Sequence, residues 1–421
     1  TSITIQIFLS FIVLILSELI GIWFIETKMQ IPFDRLDAAK WVFHFSLFTF
    51  CINLLSVSYN ACIIAHERMN AFAYIGVFEA VMKLVICYMI KISFADKLVS
   101  YALLMTLLAL SIRIIYGVYC KKFEECRVKA GFNKAIFKEM IGFSGWSFFN
   151  NTAYILNGQG INMLMNVYFG VVVNAARGIA IQVEGAVLQF VNNFTTAINP
   201  QITKSYASGD FENMHKLVCR GAKFSYFSML FLALPIILEA EQILGIWLVD
   251  VPNYTVKFVQ LSLVMGLCDS IGNSGYTACM ATGKLKKYSL VITSVAILEF
   301  PLAWLVFTLG SPPTYAYYLY IIIKVLILVI RAFLLENMVG LKVRTYFKDV
   351  FLPIILTSSV AIVVPIIISS YYEQSILRLV FIVIISSLSV SISALFLGMT
   401  LNERLVIINS FKNVVSKFAK R

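Results

Sequence analysis

The chain has 421 residues, 60% of them hydrophobic and only 13% charged, with a mean hydropathy of +0.86. Soluble domains carry about 25% charged residues, so this composition excludes a soluble globular protein and indicates an integral membrane protein. The formal net charge of +12 suggests a polyanionic partner, but its distribution along the chain argues against nucleic acid.

Apolar segments of helix-spanning length recur from end to end, which favours a helical bundle over a barrel of alternating strands. They predict twelve spans, at roughly 3–25, 41–65, 71–93, 98–120, 140–168, 174–200, 224–247, 256–281, 289–309, 315–340, 350–370 and 378–398. The connections are short, and none has room for a soluble catalytic domain. Lys and Arg crowd the even-numbered connections (121–139, 201–223, 282–288 and 341–349) and the C-terminal tail. By the positive-inside rule those loops and both ends of the chain face the cytoplasm. Basicity here sets orientation in a membrane.

The first span opens without a basic preface and is too long for a cleavable signal peptide. Eight cysteines lie mostly inside spans and never as C-x-x-C, so they are expected to act as small apolar residues. Neither disulfide, metal site nor other cofactor is expected. His44, His66 and His215 form no ligand-spaced set.

An internal repeat organises the chain. Gly21-Ile22-Trp23 returns as Gly245-Ile246-Trp247, Pro32 as Pro252, and Tyr59-Asn60-Ala61-Cys62 as Tyr276-Thr277-Ala278-Cys279. Glu79 returns as Glu299 and Ile112-Arg113 as Ile330-Arg331, all in order and at nearly constant offset. An even number of spans separates the copies, so the repeat is parallel rather than inverted. Spans seven to ten copy spans one to four, while spans five and six have no upstream copy. The expected unit is therefore six helices, the first unit lacking its opening pair. The implied divisions are a four-helix N-terminal lobe over 1–125, a six-helix lobe over 137–340, two added helices over 350–398, and a basic amphipathic tail over 399–421 suited to an anionic leaflet.

Spans five and six are crowded with amides. At 100° per residue Ser147, Asn150, Asn151, Tyr154 and Asn157 share one face of the first. Asn174, Gly178, Gln182, Gly185, Gln189, Asn192, Asn193 and Thr196 share one face of the second. Unsatisfied polar groups cost several kcal/mol in hydrocarbon, so these faces should turn to protein or to a watery cavity. Interhelical hydrogen bonding is the plainer alternative; the density of amides in two adjacent helices favours a cavity for a hydrophilic cargo.

Charges inside spans mark functional candidates. Arg177 lies on the flank of the second amide face, where a guanidinium could grip phosphate oxygens in bidentate fashion or pair with a neighbouring helix. Glu184 follows about 10 Å along the axis, too far for a direct pair with it. Glu79 and Lys83 form an i,i+4 pair. Asp269 with Asn273 and Ser274 makes a smaller patch, a candidate coupling-ion site. Enzyme signatures are missing: Gly283-Lys284 lacks the rest of a phosphate loop, and neither H-E-x-x-H nor G-x-S-x-G occurs.

At the level of motifs the chain resembles the multidrug/oligosaccharidyl-lipid/polysaccharide (MOP) exporter superfamily, in particular bacterial O-antigen flippases of the Wzx type. The likeness rests on Phe137-Lys138-Glu139-Met140 through Gly145-Trp146, Asn174-Ala175-Ala176-Arg177-Gly178, Asn199-Pro200-Gln201, 204–210, and Tyr59-Asn60-Ala61-Cys62 with Ala65-His66-Glu67. It implies a MATE-like, V-shaped all-α bundle of two lobes. It also implies a non-enzymatic flippase in the bacterial inner membrane that moves an undecaprenyl-pyrophosphate-linked oligosaccharide by alternating access, for lipopolysaccharide or other surface polysaccharide. Membrane lipids and polysaccharide polymerase or ligase machinery are candidate partners. On this reading Arg177 is the phosphate ligand, and Asn150, Asn151, Tyr154, Asn157, Gln182, Glu184, Gln189, Asn192 and Asn193 line the sugar path. A cation-coupled multidrug exporter of the same superfamily would instead use a membrane carboxylate, Asp269 or Glu184. A membrane glycosyltransferase or polymerase would need larger extracytoplasmic loops.

Overall fold

A computed structural model describes residues 2–66, 69–92, 96–123 and 151–405, with a few side chains, Asn193 and Thr196 among them, left undescribed. Ser147, Asn150, the 137–146 motif and the tail beyond residue 405 lie outside the described residues. Those described are helical or in turns, with no strand among them. Among the described residues ten helices are long and apolar enough to cross a membrane, and the chain is a multi-pass helical membrane protein. It divides into two compact units, Thr1–Phe148 and Phe149–Arg421.

The first unit contains α1 (Ser2–Thr27), α2 (Leu36–Ala65), α3 (Met69–Ile92) and α4 (Lys97–Cys120). α2 packs on α1 and α4, and α3 on α4. Its core is small, centred on Tyr59, Ile63, Ile75, Tyr116 and Cys120. Most large apolar side chains, such as Phe8, Leu19, Leu84 and Ile114, are exposed, as suits helices solvated by lipid. Asp96 caps α4 by accepting from the backbone N–H of Leu98 at 2.9 Å and of Val99 at 3.1 Å. Arg35 pairs with the same carboxylate, and this bond with the two caps holds Asp96 below the usual carboxylate range. Glu79 and Lys83 pair along one helix at 2.6 Å, as their spacing predicts.

The second unit opens with a helical turn at 151–155 and a π-turn, Leu156–Gly160, that leads into the long helix α5 (Ile161–Ala207). Gly170 breaks α5 with φ 80° and ψ −178°, backbone that only glycine adopts without strain. The break falls between expected spans five and six, so α5 is two helical segments joined at a kink. Then come α6 (Phe211–Leu238), the short α7 (Ala240–Trp247), α8 (Thr255–Ala281), α9 (Leu285–Ile297) and α10 (Glu299–Thr308). The unit ends with α11 (Thr314–Val339), α12 (Leu352–Tyr371) and α13 (Ile376–Ser393).

α8 is central, packed against α5, α6 and α11, while α12 and α13 pair with each other and lean on α6. Small residues permit these close approaches. A β-carbon on Gly266 of α8 would meet Met229 Cε at 2.5 Å, and one on Gly221 of α6 would meet Ser274 Oγ at 2.2 Å. Two buried ion pairs tie α6 and its C-terminal end to α13 and the segment that follows it. Lys223 donates to Glu403 at 2.9 Å, and Arg378 donates to Glu239 at 2.9 Å.

Candidate functional site

The two amide faces fare differently. Asn151 and Tyr154 are exposed, Tyr154 at 81%, but Asn157 turns inward. Its side chain donates to the Ala296 carbonyl at 2.9 Å, and its own carbonyl accepts from Tyr320 Oη at 2.6 Å and from Arg177 Nη2 at 3.3 Å. Of the first face only Asn151, Tyr154 and Asn157 are described, and Asn157, inside the π-turn Leu156–Gly160, does not share the exposure of the other two.

Along α5 beyond Gly170 the spacing holds. Gln182, Gly185, Gln189 and Asn192 are exposed and Asn174 and Gly178 half-buried. A β-carbon at Gly178 or Gly185 would meet nothing within 4 Å. The result is an open strip of carboxamides separated by bare backbone. From Gly178 to Asn192 it runs about 21 Å along the axis, most of a hydrocarbon core of about 30 Å.

Arg177 is not on that strip. It is 4% exposed, on the inward face of α5 with Ala176, Ala180 and Val187. Its Nε donates to Asn162 Oδ1 at 2.7 Å, and its guanidinium lies 5.6 Å from the Tyr317 ring and 5.8 Å from that of Tyr320. The expectation that it sits at a cavity edge is corrected: carbonyl, carboxamide and two aromatic faces already solvate the cation. Asn162, which the reading of the amide faces does not single out, is its nearest partner.

Glu184 is half-buried, its Cγ and Oε1 3.7 Å from where a Gly266 β-carbon would be. Asp269 does not meet Asn273. Instead it takes both short contacts of the Lys324 ammonium, at 2.9 and 3.1 Å, a partner that spacing along one helix could not reveal. Asn273 lies one turn on, its carbonyl accepting from Thr277, and the next turns of α8 are covered by Arg331, which packs over Gly272 and Gly275. Glu299 opens α10 and is 2% exposed. Glu299 Oε1 and Asn157 Oδ1 are buried with no hydrogen-bond partner among the described residues.

Arg177, Glu184, Asp269, Glu299 and Lys324 thus belong to one electrostatic neighbourhood drawn from α5, α8, α10 and α11. All but Arg177 lie near the middle of their spans. A 690 Å³ apolar groove is lined by Phe190, Phe224, Phe227 and Phe231 among others, away from this network. Among the described residues no cluster of His, Cys, Asp and Glu has the arrangement to hold a metal ion. Comparison with protein-family models, with curated proteins and with solved structures gives no match.

Proposed function

We propose that the protein is a flippase for a lipid-linked oligosaccharide, of the kind its motifs resemble, serving surface-polysaccharide synthesis at a bacterial inner membrane. The observation that carries this reading is the open strip on α5, where Gln182, Gln189 and Asn192 alternate with Gly178 and Gly185. A row of exposed carboxamides at membrane depth suits contact with protein, water or a hydrophilic cargo better than contact with lipid tails. Against sugar it is favourable, because carboxamides both donate and accept and so replace water around hydroxyls. Bare glycines between them leave room for a bulky ring to slide past. On this reading the lipid tail stays in the bilayer while the glycan follows the strip.

The test is transport in proteoliposomes containing a polyprenyl-pyrophosphate-linked oligosaccharide, read by a membrane-impermeant glycosidase. Gln182→Leu with Gln189→Leu should lower the flipping rate at least tenfold without lowering thermal stability. Unchanged flipping in that double variant would refute the strip as the path.

A cation-coupled multidrug exporter is the second reading, favoured by the mid-span carboxylates Asp269, Glu184 and Glu299. Drug-resistance phenotypes that depend on Asp269 would support it over the first.

A further inference from the structure

A 540 Å³ cavity lies on the second unit where four candidate spans have their ends. The spans Phe211–Leu238 and Val343–Tyr371 begin beside it, and Thr314–Val339 and Ile376–Gly398 finish beside it. Span ends lie at the depth of lipid headgroups, and the volume falls in the range of ligand pockets, about 300–1,000 Å³. One wall is fixed by His215, whose Nε2 donates to the Val339 carbonyl at 2.8 Å and so ties α6 to the end of α11.

Most charges that line the cavity cancel one another. Lys216 pairs with Glu212 at 2.6 Å, and Lys223 with Glu403 at 2.9 Å. Arg220 also reaches Glu403, but through Nε alone, at 3.3 Å, which leaves the two terminal nitrogens of its fork for a ligand. Lys342 and Asp349 line the same cavity, both are exposed, and neither makes an ion pair among the described residues. What remains for a ligand is two cationic groups and one carboxylate.

That surplus is the complement of a phosphodiester that carries a primary ammonium. Arginine and lysine take phosphate oxygens, the guanidinium by two parallel bonds, and a carboxylate accepts from the ammonium. A ligand with phosphate alone brings like charge toward Asp349, and a quaternary ammonium offers it no N–H. We infer that the cavity binds a phosphoethanolamine headgroup, with Arg220 and Lys342 on the phosphate and Asp349 on the ammonium. Basic pockets between spans suit lipid headgroups in general; the carboxylate makes this one select a zwitterion. The inference does not rest on the proposed function, since it concerns a ligand at the span ends, whatever the cargo.

The test titrates the full chain in detergent with dioleoyl phosphatidylethanolamine, phosphatidylcholine or phosphatidylglycerol. Apparent dissociation constants are read from the rise in unfolding temperature. The native protein should prefer the ethanolamine lipid to either of the others by about tenfold, the worth of one charge-assisted hydrogen bond. Asp349→Ala should remove the preference, and Asp349→Glu should keep it. Lys342→Gln should weaken the ethanolamine and glycerol lipids alike, by about tenfold. Soluble glycerophosphoethanolamine then identifies the source: displacement of the lipid supports a free phosphoester as ligand, and retention supports a lipid held by headgroup and tails. A native protein that ranks the three lipids equally or prefers the glycerol lipid overturns the inference, as does an ethanolamine preference that survives in Asp349→Ala.

Discussion

Arg177→Ala distinguishes a guanidinium that holds the second unit together from one that meets the cargo. In the structure Arg177 Nε donates to Asn162 at 2.7 Å and Nη2 to the Asn157 carbonyl at 3.3 Å. Bonds from a charged donor contribute about 1.5–3 kcal/mol each, and the two tyrosine faces add about 0.5–2 kcal/mol. The Asn157 carbonyl keeps Tyr320 after the substitution, which recovers part of the loss. Truncation should therefore cost about 3–5 kcal/mol. That corresponds to a fall in apparent Tm on the order of 10 °C for a unit of this size, read by thermal unfolding of the purified protein in detergent. Arg177→Lys keeps the charge but not the planar fork and should fall between native and Ala. A native Tm in Arg177→Ala together with lost glycan transport would refute the structural role and return the guanidinium to the substrate path.

Other substitutions read other parts of the fold. Gly170→Ala places a β-carbon at φ 80°, and the strain should destabilise the second unit by about 1–3 kcal/mol; a Tm equal to native would mean that α5 is not broken there. Glu403→Ala leaves the Lys223 ammonium, 3% exposed, with the Gly398 carbonyl alone among the described residues, a loss of about 3–5 kcal/mol. Replacing both members of the buried pair, Lys223→Met with Glu403→Leu, should recover most of that loss in the same unfolding assay, the remainder being the Arg220 contact at 3.3 Å and the Thr400 cap that Glu403 also provides. Burial alone would raise the Glu403 carboxyl, but the Thr400 backbone N–H and Lys223 together hold it below its ordinary 4.5. Its folded-state pKa is thus the lower one, so its contribution is full above pH 4.5 and is lost as pH falls through the folded value. Apparent Tm measured from pH 7 to pH 3 should drop more steeply in the native protein than in Glu403→Gln.

The membrane class and most span positions were legible because hydrocarbon solvent leaves a strong compositional trace: long apolar runs, short loops and clustered basic residues. The break at Gly170 falls between expected spans five and six. The Gln182–Gln189–Asn192 strip was legible too, since α5 is regular there and 100° spacing carries over. The turn around Asn157 was not legible, because nothing in Leu156-Asn157-Gly158-Gln159-Gly160 distinguishes a π-turn from an α-turn by periodicity. The Lys324–Asp269 pair joins positions on two helices, and the burial of Arg177 depends on Tyr317 and Tyr320 from a helix far along the chain. Contacts of that kind follow from packing, which one sequence does not display.

What the structure adds to the amide strip is the opposite side of the same helix. Beyond Gly170, α5 turns Ala176, Arg177, Ala180, Val187 and Val191 toward the interior and Gln182, Gly185, Gln189 and Asn192 away from it, with Glu184 half-buried between. The inward face is fixed to α8 by the close approach at Gly266 and to the start of the unit by the Arg177–Asn162 bond. A packed helix moves as a rigid body, so a change in the charged network at α8 and α11 would shift the whole strip rather than single amides. Lys324 variants, which strand the Asp269 carboxylate, should therefore read out in thermal stability, and amide-strip variants in the rate of flipping.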